Sequence, residues 1–112
     1  VIICGRREPE SLPKNTHFIP LDIREPKAAS ELVNFALERT DRLDCLINNA
    51  GGGPPVASKD ASPNLTQKVI ALNLLAPINL AQAAYPELSK SGGSIINISS
   101  VLTLCNTKSP YK

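Results

Sequence analysis

Polar or small residues follow four short apolar runs of this chain, and these are the places where chemistry is expected. Gly5-Arg6-Arg7 follows the first run, Asp22-Ile23 the second, residues 48–51 (NNAG) the third and Ser99-Ser100 the fourth. Carboxylate, amide and hydroxyl groups can hydrogen-bond a polar ligand, and two guanidiniums can bind a phosphate. In an open parallel sheet, ligands bind outside the carboxyl ends of the strands. We therefore expect these four segments to line one ligand-binding edge.

Four strands and two helices are predicted to position these residues. Each predicted strand is a short apolar run that ends in polar or turn residues, namely residues 1–4, 17–21, 43–48 and 94–98. The first helix is predicted to begin at Pro26 and to fade near Thr40, with apolar residues recurring at helical spacing. The second is predicted from Ser62-Pro63 to about Leu88, and Pro77 inside it is expected to kink it or to remove a hydrogen bond.

The alternation of apolar strands with helices predicts the fold class. Strands that are apolar throughout are typical of a parallel sheet covered by helices on both faces. We therefore predict an α/β fold, a doubly wound parallel sheet of about four strands and two long helices, with residues 1–112 forming a single domain without a linker. The chain opens in mid-strand at Val1 and has no initiator Met, so we expect an internal fragment truncated at both ends.

Composition excludes several classes of function. The formal net charge is +2 with scattered basic residues and few aromatics, which gives no support for a nucleic-acid partner. No apolar run approaches the roughly 20 residues that cross a bilayer, and no signal peptide is visible, so no membrane partner is expected. Three distant cysteines and one histidine favour reduced thiols over a disulfide framework or a metal site. A cytoplasmic location is expected.

Three segments together resemble a known family. Residues 43–51 (LDCLINNAG) are similar to its "LD-x-L-x-NNAG" segment, and residues 72–74 (LNL) to the "VNL" of its active-site helix. Residues 94–100 (SIINISS) are similar to its "I-V-N-x-SS" strand. The order and spacing of all three match, and the similarity covers essentially the whole chain. The chain thus resembles the short-chain dehydrogenases/reductases, which are nicotinamide-dependent oxidoreductases with a Rossmann-like fold. The resemblance implies that residues 1–112 form a single, partial Rossmann-like NAD(P)-binding domain.

The resemblance implies cofactor contacts at two strand ends. Asn49, Ala50 and Gly51 would pass close to the adenosine half of the cofactor, because small residues let the backbone approach. Asp22 would hydrogen-bond the adenine amino group, with the backbone of Ile23 beside it. From the residues alone, Asp22 is also explained as a cap for the following helix, so both interpretations stay open.

The resemblance also implies two catalytic residues. Asn73 would help to hold a water molecule in a proton relay, and Ser100 would hydrogen-bond the substrate carbonyl as charge develops on its oxygen. Strand alternation and the family's spacing both favour Ser100 over Ser99. Without the resemblance, Asn73 would equally fit a structural hydrogen-bonding role, and the two serines would be strand-terminating residues.

Arg6 and Arg7 indicate which cofactor is preferred. At this position a carboxylate binds the ribose 2′-hydroxyl of NAD, whereas arginine accommodates the 2′-phosphate of NADP. Two guanidiniums and no acid directly follow Gly5, which favours NADP(H), with NAD(H) possible. Glu8 and Glu10 lie further along and would soften the preference. An exposed, solvated arginine pair is the alternative.

Two parts of the family's machinery are not found in these residues. No GxxxGxG turn occurs, and no Tyr-x-x-x-Lys pair follows Ser100. Tyr111-Lys112 does not replace that pair, because adjacent helical residues point about 100° apart.

These observations lead to one prediction for the parent protein and one alternative. The parent is predicted to transfer a hydride between NADP(H) and a small carbonyl or alcohol substrate, as a homodimer or homotetramer, while this fragment alone is inactive. The alternative is a catalytically inactive nucleotide-binding or interaction fragment.

Overall fold

The computed structural model describes residues 1–100, except for the side chain of Ser58. Its strands and helices follow one another in the predicted order: β1 (Ile2–Gly5), β2 (His17–Pro20), α1 (Ala28–Thr40), β3 (Cys45–Asn48), α2 (Pro63–Ile70), α3 (Ala76–Ser91) and β4 (Ser94–Asn97). A π-helical turn, Ala71–Leu75, joins α2 to α3, and a short 3₁₀ turn, Ser58–Asp60, precedes α2. The predicted order of strands and helices is confirmed; several boundaries coincide with the predicted ones, and the others differ by one to three residues.

The four strands form two parallel pairs. In the first pair Ile2 lies opposite His17 and Gly5 opposite Pro20, and in the second pair Cys45 lies opposite Ser94. Within residues 1–100, no hydrogen-bonded ladder joins β1 to β3. The parallel α/β arrangement is therefore confirmed, but the described residues build it as two separate two-stranded sheets.

A small apolar core lies between the two long helical stretches and the second pair of strands. Val33 of α1 packs with Ala84 and Leu88 of α3, and Leu46 of β3 packs against this cluster. Because successive strand residues point to opposite faces, Ile47 points away from these helices. Its side chain is 58% exposed, and that of its register partner Ile96 is 45% exposed. Within residues 1–100, α1 and α3 pack on the face of this pair that carries Leu46.

The first helix begins later than predicted because a turn occupies residues 22–28. The amide of Glu25 donates to the carbonyl of Asp22 over 2.9 Å, and the amide of Ala28 donates to the carbonyl of Glu25 over 3.1 Å. The helix ends at Thr40, where Asp41 adopts a left-handed conformation with φ 58° and donates to the carbonyl of Leu37. The predicted fading near Thr40 is confirmed.

The second helical stretch begins as predicted. The hydroxyl of Ser62 accepts a hydrogen bond from the amide of Leu65 over 3.2 Å, and Pro63 occupies the first turn, where no amide donor is needed. The stretch continues to Ser91, three residues beyond the predicted end, and Gly92 terminates it with φ 69°. A left-handed glycine is the usual residue at this position, since it has no Cβ to clash.

The whole stretch Pro63–Ser91 is 29 residues long and, by length and composition alone, apolar enough to cross a membrane. The sequence analysis did not predict a helix of this length and apolar character, because no uninterrupted apolar run of about 20 residues occurs in the chain. Its four buried residues are Ala76, Leu80, Ala84 and Leu88, which recur every four residues. Such a stripe is typical of a helix that packs one face on a protein core, as Ala84 and Leu88 do against α1.

Candidate functional site

Arg6 and Asp22 leave the first pair of strands at the same edge. The ladder of β1 and β2 ends where Gly5 lies opposite Pro20, and the amide of Leu21 continues it by donating to the carbonyl of Gly5 over 2.9 Å. Arg6 and Arg7 follow directly and are exposed. The guanidinium of Arg6 lies near enough to contribute to the lowered pKa of Asp22, though as the smallest of the causes. The structure thus brings Arg6, Arg7 and Asp22 to the same edge of the first pair of strands, as predicted.

The carboxylate of Asp22 is held by Arg24, a residue that the sequence analysis did not select. The guanidinium Nε donates to Oδ1 over 2.8 Å, and the terminal Nη2 donates to Oδ2. The backbone amide of Arg24 also donates to Oδ1 over 3.1 Å. The side-chain hydrogen bond from Arg24 is the main reason that the pKa of Asp22 is lowered from 3.8 to about 2. An Asp-x-Arg spacing after a strand was the available signal.

A shallow polar cleft connects this turn to the second helical stretch. It lies between the residues after Asp22 and the outer face of α2, and it is lined by Arg24, Glu25, Asn64, Gln67, Lys68 and Ala71. Ala71 is the first residue of the π-helical turn. The turn that carries Asp22 therefore lies beside the helical stretch that carries Asn73.

At the second pair of strands, two asparagines pair across the sheet. The side chain Nδ2 of Asn48 donates to Oδ1 of Asn97 over 2.8 Å, and the amide of Ile98 donates to the carbonyl of Asn48 over 2.9 Å. The Oδ1 atom of Asn48 is buried and accepts no hydrogen bond from the residues that the structure describes. Asn49, Ala50 and Gly51 follow and are exposed, so their backbone is accessible to a ligand.

Asn73 clamps the segment after β3. Its Oδ1 accepts from the amide of Gly52 over 2.8 Å, and its Nδ2 donates to the carbonyl of Gly52 over 2.8 Å. The same Nδ2 group donates to the carbonyl of Val69 over 2.9 Å. Both donor hydrogens and one acceptor site of the amide are thus used inside the protein. Asn73 holds the strand-end segment and the helical turn together.

Gly51 is the residue that permits this clamp. A Cβ atom at position 51 would lie 3.0 Å from Oδ1 of Asn73, which is tighter than an ordinary van der Waals contact. Gly52, with φ 117°, adopts a backbone conformation that other residues rarely reach. Small residues in this segment are therefore required by contacts within the chain as well as by close approach of a ligand.

Pro77 and the π-helical turn make the backbone around Asn73 irregular. The amide of Ala76 donates to the carbonyl of Ala71, five residues earlier, instead of four. In a regular helix residue 77 would donate to the carbonyl of Asn73, but proline has no N–H. The carbonyl of Asn73 therefore lacks its usual helical partner, and the predicted disturbance by Pro77 takes the form of a wide turn. Single π-turns occur frequently at functional sites.

The predicted serines lie past the end of β4. The strand ends at Asn97, opposite Asn48, so Ser99 and Ser100 leave the sheet at the same edge as the segment 49–51. Both serines are exposed. Tyr111 and Lys112 lie outside the described residues.

The donor set at these strand ends fits a dinucleotide. Two exposed guanidiniums follow β1, an ionised carboxylate follows β2, and an exposed backbone segment of small residues follows β3. Guanidiniums suit a phosphate, and a carboxylate suits an amino group or a hydroxyl. The space beside Gly51 would be filled by a Cβ, so the segment permits a close approach only with glycine there.

Comparisons with known proteins agree with this geometry. A sequence profile described as short chain dehydrogenase matches residues 5–110. L-fucose dehydrogenase of Mus musculus is 38% identical over 108 residues, which cover 91% of this chain and 40% of that protein. The chain thus spans about two fifths of the length of such relatives.

Solved structures show the same fold. A 7α-hydroxysteroid dehydrogenase complexed with NADH and 7-oxo glycochenodeoxycholic acid matches with a TM-score of 0.76 and 29% identity, over 84% of this chain and 37% of that one. ElxO with NADP bound matches with a TM-score of 0.76 and 27% identity, over 87% of this chain and 40% of that one. These likenesses confirm the partial Rossmann-like fold. With a profile match over nearly its whole length, the chain belongs to the short-chain dehydrogenase family of oxidoreductases.

Proposed function

We propose that the whole protein carrying this chain transfers a hydride between NADP(H) and a small carbonyl or alcohol substrate. The observation that supports this proposal best is the pair of exposed guanidiniums, Arg6 and Arg7, at the edge where Asp22 also lies. One solved structure that resembles this chain is complexed with NADH, and another has NADP bound. The family match alone therefore leaves the choice between NAD(H) and NADP(H) open.

The preference for NADP(H) follows from charge. A 2′-phosphate beside the end of β1 would meet two arginines, which form strong charge-assisted hydrogen bonds with phosphate oxygens. Asp22, a carboxylate at this edge, is ion-paired with Arg24, so its negative charge is largely offset. Asp22 would accept a hydrogen bond from the adenine amino group, with the backbone of Ile23 beside it.

The middle of the chain would serve the reacting end of the cofactor. The bound nicotinamide supplies the hydride chemistry, and the chain supplies groups that orient water and substrate. The side chain of Asn73 is occupied by Gly52 and Val69, which leaves its backbone carbonyl as the group that would hold a water molecule. Ser100 would donate to the substrate carbonyl oxygen and stabilise the charge that develops there. Asn49, Ala50 and Gly51 would lie along the adenosine half of the cofactor.

The first experiment measures cofactor affinity in the whole protein with Arg6 and Arg7 both changed to alanine. One charge-assisted hydrogen bond is worth about 1.5–3 kcal/mol, so the loss of even one such bond should lower NADPH affinity by at least about 10- to 100-fold. NADH affinity should change by less than about threefold, because it carries no 2′-phosphate. Equal losses for both cofactors would refute the phosphate contact.

A matched control changes Lys14 and Arg42 to alanine, which removes the same charge from residues that precede β2 and β3. These residues lie toward the amino ends of the strands, so both affinities should stay close to the wild-type values. Binding of NADPH without turnover of any carbonyl or alcohol would favour the inactive nucleotide-binding alternative.

Residues 1–112 alone should not turn over substrate, since the family's Tyr-x-x-x-Lys pair is not found in them. Following NADPH absorbance at 340 nm with this chain and a panel of carbonyl compounds tests this. Steady consumption above a no-protein control would contradict it. We also propose that the whole protein is a homodimer or homotetramer, and size-exclusion chromatography with light scattering would measure its mass.

A further inference from the structure

We propose that Arg24 is a positioning residue that holds Asp22 so that this carboxylate selects a purine bearing an amino group over one bearing a carbonyl. The inference rests on the proposed function, because it requires that Asp22 faces the purine of the cofactor. It adds a residue and a specificity to that function.

The geometry of the pair fixes the carboxylate in one orientation. Arg24 contacts both oxygens of Asp22, through Nε to Oδ1 over 2.8 Å and through Nη2 to Oδ2. The amide of Arg24 gives Oδ1 a further donor over 3.1 Å. A fork that contacts both oxygens resists rotation of the carboxylate, which a single point charge cannot do.

Counting acceptor sites shows what remains for a ligand. A carboxylate offers about four lone-pair sites, two on each oxygen. Both lone-pair sites of Oδ1 are occupied, one by Nε of Arg24 and one by its backbone amide. Oδ2 accepts from Nη2 and has a longer contact of 3.2 Å with Nε. One lone-pair site of Oδ2 therefore remains for a ligand. An exocyclic amino group can donate to that site. A carbonyl oxygen at the same place would face a carboxylate oxygen and be repelled.

The ion pair between Arg24 and Asp22 also affects Arg6, one of the two arginines proposed to bind the 2′-phosphate. Arg6 lies close enough to Asp22 to act on its charge, so an unpaired carboxylate would attract Arg6. Arg24 offsets that charge within a half-buried contact, in which the side chains are 27% and 25% exposed. Arg24 thereby leaves Arg6 available to another anion.

The chain contains a matched control pair. Arg42 and Asp44 are also two residues apart, and the guanidinium of Arg42 donates to Oδ1 of Asp44 through Nε, over 2.9 Å, and through Nη2. This pair is exposed, at 65% and 62%, and lies just before β3, at the amino end of the strand. The variant Arg42→Ala therefore shows what the loss of an Arg–Asp ion pair does when the pair lies away from the proposed cofactor site.

The experiment uses the whole protein and two probes, NADPH and its hypoxanthine analogue, in which a carbonyl replaces the adenine amino group. Affinities are measured by fluorescence titration for wild type, Arg24→Ala, Arg24→Lys and Arg42→Ala. We expect wild type to favour NADPH over the analogue by about tenfold, which corresponds to about 1.4 kcal/mol. Arg24→Ala should bring the ratio of affinities close to one. Arg24→Lys should bind NADPH better than Arg24→Ala does, because charge is kept, but should recover only part of the ratio.

The ratio of the two affinities separates a positioning role of Arg24 from a merely structural one, because general damage to the fold would weaken the binding of both probes alike. An unchanged ratio in Arg24→Ala, or an equal change in Arg42→Ala, would overturn the inference. If wild type binds NADPH and the analogue equally, the inference fails while the proposed function stands. If wild type does not bind NADPH, the proposed function fails as well. Should Arg24→Ala not fold by circular dichroism, Arg24→Gln provides the same comparison.

Discussion

At the carboxyl ends of β1 and β2 the side chains of the candidate site are charged, whereas at the ends of β3 and β4 they are neutral amides and hydroxyls. Arg24 holds Asp22 through an ion pair, and Asn73 holds Gly52 through two amide hydrogen bonds. The second edge, at the ends of β3 and β4, is built on the core cluster that includes Leu46, Ala84 and Leu88.

This difference separates two requirements of a dinucleotide site. Charged groups attract a ligand over several ångströms, but salt screens this attraction and a low pH neutralises the carboxylate. Neutral amide clamps attract nothing at a distance, yet they set positions closely because hydrogen bonds depend on both distance and angle. We infer that the first edge serves affinity and cofactor choice, and that the second serves the alignment that a reaction needs.

The largest expected effect follows from breaking the amide clamp. Asn73→Ala removes the bonds to both backbone groups of Gly52 and to the carbonyl of Val69. Misplacement of about 1 Å near a reacting centre can lower a rate about 100-fold, so we expect kcat to fall by about that factor in the whole protein. Steady-state kinetics measures it. Asn79→Ala, an exposed asparagine of α3, is the control and should leave kcat unchanged. A loss confined to NADPH affinity would contradict the division between the two edges.

A smaller effect is expected where the second edge rests on packing. A Cβ at Gly93 would lie 2.6 Å from the carbonyl oxygen of Asp44 and 2.7 Å from the side chain of Leu88. Gly93→Ala should therefore lower the free energy of unfolding by about 2 kcal/mol, measured by urea denaturation. Gly92→Ala has open space around the added carbon but a φ of 69°, and it should cost about 1 kcal/mol. If Gly92→Ala were the more damaging of the two, the contact argument would be wrong.

The smallest effect concerns pH at the first edge. The pKa of Asp22 is about 2 in the folded protein, below its ordinary 3.8, chiefly because Arg24 hydrogen-bonds the ionised form. Its contribution to stability is therefore fully present above pH 3.8 and is lost as the pH falls through about 2. The difference in urea midpoint between wild type and Arg24→Ala should shrink between pH 5 and about pH 2, and also in 1 M salt. A difference that grows as the pH falls would reverse the sign of this argument.

The strands and helices could be predicted because each depends on local sequence. Ser62-Pro63 indicates a helix start, and the apolar run before Asn48 indicates a strand, whatever the rest of the chain does. The residues at the strand ends could be predicted from the same pattern, since parallel strands bring their carboxyl ends to one edge.

Contacts between distant segments could not be predicted in this way. Asn73 and Gly52 are 21 residues apart, and nothing in helical periodicity shows that the amide turns toward that backbone. The π-helical turn adds a residue to one turn without changing which residues are apolar, so only Pro77 hinted at it. The fork between Arg24 and Asp22 depends on side-chain rotamers, and the turn that places it also displaced the predicted start of α1.

The division of the described strands into two pairs has a consequence for handling this chain by itself. Within residues 1–100, β1 is bonded only to β2 and β3 only to β4, so each keeps a row of backbone donors and acceptors along its other side. Strands of neighbouring molecules can pair with such unpaired edges. The exposed Ile47 and Ile96 would add a hydrophobic surface that favours association. A solution of residues 1–112 alone should therefore self-associate as its concentration rises, and light scattering would register this before any assay of enzymatic activity.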